Sequence, residues 1–144
     1  MREAVKTKKW KSRFRLWPVL LGFLLVFQTA GCGSKDPYPK VQDLEFTVVE
    51  EEDYPRELAN AISQKKESAF RLTYSDGENL YIAVGYGKQP TGGYSIQISQ
   101  VYLSEDVVVV DSNLMGPEGE GAGAASYPYL VIKTGFREEP VVFL

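Results

Sequence analysis

The chain has 144 residues, a length that suits one folded domain and not two. Seven of its sixteen basic residues fall in the first fifteen positions, which carry +6; the formal total is −3, so everything from Leu16 onward stands at −9. That balance repels nucleic-acid phosphates and argues against a DNA or RNA partner, while a single Cys and no His remove the internal disulfide, the Cys/His zinc site and the commonest general base.

The chain opens on a basic stretch, Arg2 to Arg15, followed by an apolar run from Leu16 to Phe27. About a dozen apolar residues fall short of the ~20 that a helix needs to cross the hydrocarbon core. Basic residues, a short apolar run and then small residues form the layout of an export signal, so 1–31 is expected to be a signal peptide and to stand outside the fold. The small residues are Thr29-Ala30-Gly31, and the sole cysteine, Cys32, comes next. This tail resembles the lipobox of bacterial lipoproteins, with Thr29 where Leu is usual and an unusually polar Gln28. The resemblance implies that Cys32 is the lipidation site and carries palmitate-type acyl chains on an extracytoplasmic membrane face. Two or three chains, at about 0.8 kcal/mol per buried methylene, make a stable anchor where one would be marginal. Three other readings stay open: an ordinary secretory cleavage site, an anchor that is never cleaved, and a structural, buried Cys32. Residues 32–43, rich in Pro, Gly and charge, read as the lipidated Cys and a flexible tether reaching at most ~35 Å.

Residues 44–144 carry the folding pattern. Glu45 to Val49 reads as a first strand, ended by the acidic run Glu50–Asp53. Asp53 is placed to cap a helix over about Pro55 to Lys65, with Leu58, Ala61 and Ile62 on one apolar face. Phe70, Leu72 and Tyr74 alternate with polar residues, Asp76-Gly77 signals a turn, and Leu80, Ile82 and Val84 alternate again, which predicts a hairpin. In the next strand Tyr94, Ile96 and Ile98 hold one parity and Val101 and Leu103 the other. Keeping both sets inward needs one extra residue, which predicts a β-bulge at Ser99-Gln100; a second buried face for Val101 and Leu103 is the alternative. Val107–Val110 suits a strand covered on both faces, Met115 to Ala124 is loop, and strands follow at Tyr129–Lys133 and Val141–Leu144. The predicted class is mainly β (α+β): an antiparallel sheet or β-sandwich with one short early helix, packed on a sheet or across the mouth of the sandwich.

The segment Gly85 to Tyr94 stands out for its four glycines. Gly87-Lys88 is followed by Gln89 and not by Ser or Thr, and a strand follows where a phosphate site needs a helix N-terminus, so neither a Walker A loop nor a dinucleotide fingerprint fits. Two readings remain. One is a tight connection between strands; the other is a rigid finger presenting Lys88, Gln89 and Thr91 to a partner. Elsewhere, Glu50–Asp53 lacks the spacing of a calcium loop, and Glu105, Asp106 and Asp111 read as polar surface beside a strand and not as a glycosidase pair. With no His in the chain, a Ser or Thr nucleophile lacks its commonest base. No enzyme activity, cofactor or metal is expected.

The stretch Tyr86 to Ile98 (YGKQPTGGYSIQI) resembles the signature of the PrcB C-terminal domain family, a Gly-x-x-Pro-Thr-Gly-Gly-Tyr loop entering a strand. Tyr127 to Lys133 (YPYLVIK) is similar to the closing Pro-Tyr strand of that family, and the likeness runs over roughly 80–134. It implies a secreted protein or lipoprotein with a non-catalytic accessory role, since the family is named for a lipoprotein subunit that assists a surface subtilisin-like serine protease complex. The partner implied is an extracytoplasmic protein, such as that protease, met through Lys88, Gln89, Pro90, Thr91, Gly92, Gly93 and Tyr94. The Pro-Thr-Gly-Gly-Tyr run is also similar to the Asn-Pro-Thr-Thr-Gly-Tyr loop of chagasin-like cysteine-protease inhibitors, from which it departs at Gln89 and Gly92 and in lacking a following Trp. A structural cell-envelope lipoprotein without a defined partner and such an inhibitor are therefore the two rival functions.

Overall fold

Residues 36–144 are described by a computed structural model of the chain. The strands are β1 (Gln42–Asp43), β2 (Thr47–Val48), β3 (Ala69–Ser75), β4 (Asn79–Tyr86), β5 (Ser95–Leu103), β6 (Val108–Met115), β7 (Tyr129–Gly135) and β8 (Val141–Phe143); a 3-10 turn (Glu51–Asp53) and one helix, α1 (Arg56–Lys65), lie between β2 and β3. They form two four-stranded sheets, β1-β5-β6-β8 and β2-β7-β4-β3. Every pairing is antiparallel except β6 with β8. The expected mainly β class with one short helix is what the chain adopts.

Residue parity decides the layering. Leu80 and Ile82 of β4 and Ile132 of β7 meet Val101, Val108 and Val110 of the other sheet, so this set fills the space between the sheets. The opposite parity, Tyr81, Ala83 and Val131, joins Phe70 beneath Leu58 and Ile62 of α1. Of the two placements expected for the helix, the one on the sheet is observed. Strand β4 is therefore covered on both faces, and its Leu80–Val84 run is buried at every position. Burying a Val or Ile side chain completely contributes about 1.5–3 kcal/mol, so Ile82, Val84, Val108, Val110, Val131 and Ile132 dominate the stability of the sandwich.

The strand register contains one irregularity. Pairing of β5 with β6 is regular from Ser95 to Ile98 and again from Gln100 to Leu103, with Ser99 left over. The expected bulge lies there. It returns Val101 to the inward side after Ile98, and the Ser99 hydroxyl accepts a hydrogen bond from Asn113 Nδ2 at 3.0 Å.

Four local expectations change. The expected first strand, Glu45–Val49, shortens to β2, and β1 forms ahead of it in the stretch read as tether: β1 pairs with β5, the chain crosses between sheets over 44–46, and β2 pairs with β7. Thr134 Oγ1, buried on β7, holds that crossing by donating to Glu45 O at 2.8 Å. Asp53 does not cap the helix, because 50–54 close into the 3-10 turn through Asp53 N–H to Glu50 O and Tyr54 N–H to Glu51 O. Pro55 stands at the cap position without a side-chain hydrogen bond. Strand β6 continues past Val110 to Met115, where Ser112 is buried and polar. Finally, the stretch expected as tether is bonded to the fold from Tyr38 on. Tyr102 Oη donates to Tyr38 O, Ser104 Oγ donates to Pro39 O, and Val41 N–H donates to Leu103 O. Lys40 Nζ sits 5.1 Å from the Tyr102 ring centroid and pairs with Asp43 at 2.8 Å. Tyr38 O and the Lys40 ammonium thus meet the Tyr102 side chain, while 41–43 run along the sheet edge beside β5. Residues 1–31, Cys32 and 33–35 lie outside the described residues.

Candidate functional site

Following strand directions, one end of the sandwich gathers the loops before β3, between β4 and β5, and between β6 and β7. Gly87 takes φ +69, and a Cβ there would stand 2.8 Å from Ala69 N, so only glycine lets the β4–β5 loop pass the start of β3. Lys88 N–H donates to Glu67 O at 3.2 Å. Next, Gln89 and Ser126 exchange both backbone hydrogen bonds, at 2.8 and 3.1 Å, and Gln89 Nε2 donates to Tyr86 O at 3.0 Å. Ser126 Oγ donates to Thr91 O at 2.6 Å, and Gly92 N–H donates to Ala122 O at 3.1 Å. Gly93, at φ +87, lies against Pro117, and the Thr91 side chain occupies the space that a Cβ on Gly121 would need. The two glycine-rich loops, 87–94 and 116–128, are thus locked to each other. A groove of about 440 Å³ opens between them, lined by Gly92, Gly93, Gly121, Pro117, Glu118 and Glu120.

Of the residues expected in a finger, Lys88, Pro90 and Gly93 are exposed. Gln89, Thr91, Gly92 and Tyr94 are half-buried, and the first three are tied to 121–126. The loop therefore combines both readings drawn from its composition. Its backbone is a structural lock, and its tip offers Lys88 and Pro90. The sequence reads Met115 to Ala124 as a plain loop, yet Pro117, Gly121 and Ala122 form part of the lock. The signal was the alternation Gly119, Gly121, Gly123, all three of which adopt positive φ.

Beneath the lock, Tyr86 reaches across the sandwich. Its hydroxyl donates to Ser112 O at 2.7 Å and lies 3.2 Å from Ser112 Oγ. The Arg71 guanidinium lies over the Tyr86 ring, 4.6 Å from its centroid and 5.9 Å from that of Phe143.

The acidic positions weighed from the sequence are dispersed. Glu50–Asp53 wraps the start of α1, where burial, then Tyr129 and then Glu51 push the Tyr54 hydroxyl up to about 12. Glu105 and Asp106 are exposed in the turn closed by Ser104 N–H to Val107 O. Asp111 is on β6 opposite Gln100. Among the described residues, no three His, Cys, Asp or Glu side chains gather so as to hold a metal ion. Among the same residues, no helix is long and apolar enough to cross a membrane.

The class defined by these observations is a two-sheet β-sandwich with a helix on one outer face and its glycine loops locked at one end. The PrcB C-terminal family model matches residues 80–135, from β4 through the locked loops to the end of β7. The family likeness expected from Tyr86–Ile98 and Tyr127–Lys133 is borne out, and that family is an accessory one, not a catalytic one. No curated protein and no solved structure matches the chain.

Proposed function

We propose that this chain is an extracytoplasmic lipoprotein, anchored through Cys32, whose 44–144 region is a non-catalytic module that assists or stabilises a surface protease complex. The observation that carries the reading is the PrcB C-terminal match over 80–135. The anchor rests on the export-type leader and on the position of the single cysteine directly after Thr29-Ala30-Gly31. The partner is an extracytoplasmic protein, a subtilisin-like protease, and the exposed Lys88-Pro90 tip is the first surface it meets. Such a module acts by holding and presenting, which suits a domain whose loops are braced by backbone hydrogen bonds.

Two measurements test this. Wild-type protein should incorporate radiolabelled fatty acid in its host and the Cys32→Ala variant should not; an unlabelled wild type would defeat the anchor. A photo-crosslinking residue at position 88, followed by mass spectrometry from intact cells, should capture a secreted or surface protease. Reproducible capture of a non-protease envelope component would replace the protease with a structural partner, and stoichiometric inhibition of papain-like enzymes would favour the chagasin-like alternative.

A further inference from the structure

The sheet β2-β7-β4-β3 ends at β3, whose outer edge is open along all seven residues among those described. Backbone direction along this edge follows from two bonds. Asp76 N–H donates to Asn79 O, and Tyr86 N–H turns the other way to Pro128 O. With the regular register between β3 and β4, Phe70, Leu72 and Tyr74 face β4, whereas Ala69, Arg71, Thr73 and Ser75 present their N–H and C=O outward. Natural edges are commonly blunted by a proline, a bulge, a lysine or a very short strand. Ala69–Ser75 has none of these, and its one charged side chain is the inward-pointing Arg71.

One side chain on this edge is unusual. Arg71 points into the gap between the sheets, on the side where β3 and β8 are both edge strands. Its Nη1 donates to Phe70 O at 2.9 Å and to Gly85 O at 3.0 Å, which fixes the guanidinium against Tyr86. Nε and Nη2 are left without a protein acceptor among the described residues. The described residues include eighteen Asp and Glu side chains, yet none of them pairs with this half-buried cation; their one ion pair is Lys40–Asp43. On the helix side of the same edge, Leu72 and Tyr74 are half-exposed and supply an apolar shelf.

We infer that the outer edge of β3 is a docking strip for an extended segment of a partner protein, and that Arg71 receives one carboxylate from that segment. The added strand pairs with the outward groups of Arg71 and Thr73 and lays apolar residues beside Leu72 and Tyr74. It places an Asp or Glu side chain on the Arg71 face. The same residue supplies selectivity. A strand lacking an acidic group buries the guanidinium unpaired, which is costly, whereas a carboxylate meets its free Nε and Nη2 donors as a fork. One carboxylate suffices, because a longer acidic tract is repelled by a region so rich in its own carboxylates. This surface is separate from the glycine loops and does not depend on the protease reading.

The test uses full-length protein in detergent micelles and a seven-residue peptide alternating valine and threonine around a central glutamate, with a central-glutamine analogue as control. At millimolar concentration the glutamate peptide should slow amide exchange at Arg71 and Thr73 at least tenfold, and the glutamine analogue should bind at least fivefold more weakly. Arg71→Gln should erase the difference between the peptides. Thr73→Pro, which removes an outward N–H and no ladder bond, should abolish protection by both. Unchanged exchange at Arg71 and Thr73 in the wild type, or equal affinity for the two peptides, would overturn the inference whatever the variants do.

Discussion

The Tyr86 hydroxyl donates to the backbone carbonyl of Ser112 across 2.7 Å, joining the sheet of β4 to the sheet of β6 at the end where the glycine loops lock. Ser112 is buried, so its carbonyl has little water to turn to when that donor is lost. Tyr86→Phe keeps the ring beneath Arg71 and removes only the bond. Urea unfolding should show a loss of about 1–2 kcal/mol. An unchanged midpoint would mean that the two sheets hold this end together without the strut.

Substitutions in the glycine loop should divide sharply by position. Gly87→Ala and Gly93→Ala each force a side chain onto positive φ and into a neighbour 2.8 Å away, the backbone of Ala69 or the ring of Pro117. Each should cost about 1–3 kcal/mol in thermal or urea unfolding. Lys88→Ala, at an exposed position, should stay within about ±0.5 kcal/mol. Equal effects at Gly87 and Lys88 would contradict the lock described above.

Alkaline pH should loosen the helix side of the fold. The Tyr54 hydroxyl is pushed up to about 12, first by burial and then by Tyr129 and the acidic run beside it. Tyr129 is raised as well, by burial and then by Glu51. A phenol raised in the fold contributes stability that is complete below its ordinary value near 10 and is lost as pH climbs from 10 toward 12. The melting temperature should fall through that window, and Tyr54→Phe should make the fall shallower. An identical slope in the variant would remove Tyr54 from the account.

The segment before β1 should behave as part of the domain. Tyr102→Phe with Ser104→Ala removes the donors to Tyr38 O and Pro39 O, at about 1 kcal/mol for each bond. Limited proteolysis should then cut within 38–41 in the double variant and spare those residues in the wild type. Equal cutting in both would show that the segment is held by β1 alone.

The bulge was legible because one face of β5 is buried: Ile98 and Val101 can both point inward only if the strand carries an extra residue, and Ser99 is that residue. The β3–β4 hairpin was legible for a related reason, since Asp76 accepts the N–H groups of Glu78 and Asn79 and writes the turn locally. What escaped was set by distant partners. The docking of 38–43 depends on Tyr102 and Ser104, more than sixty residues away, and a Pro-rich approach carries no trace of them. Strand β6 looked short because Ser112 is polar, and its burial makes sense only with Tyr86 opposite. At the candidate site the glycine pattern of 87–94 was readable, but its role as one half of a lock was not, because Ser126 and Gly121 lie on another loop.

The crossing between β1 and β2 has a mechanical consequence. Within a few residues the chain bonds first to one sheet, through Leu44 N–H to Val101 O, and then to the other, through Val49 N–H to Val131 O, with Glu45 clamped between them by Thr134. Both strands run in the same direction along the sandwich, away from the end where the described chain enters. A pull along the leading end therefore draws β1 lengthwise against β5 and reaches β2 only past the Glu45 clamp, so within each strand the hydrogen bonds are loaded in shear and are not peeled apart singly. Traction from the N-terminal side therefore meets one sheet first and is handed to the other through the bond from Thr134 to Glu45.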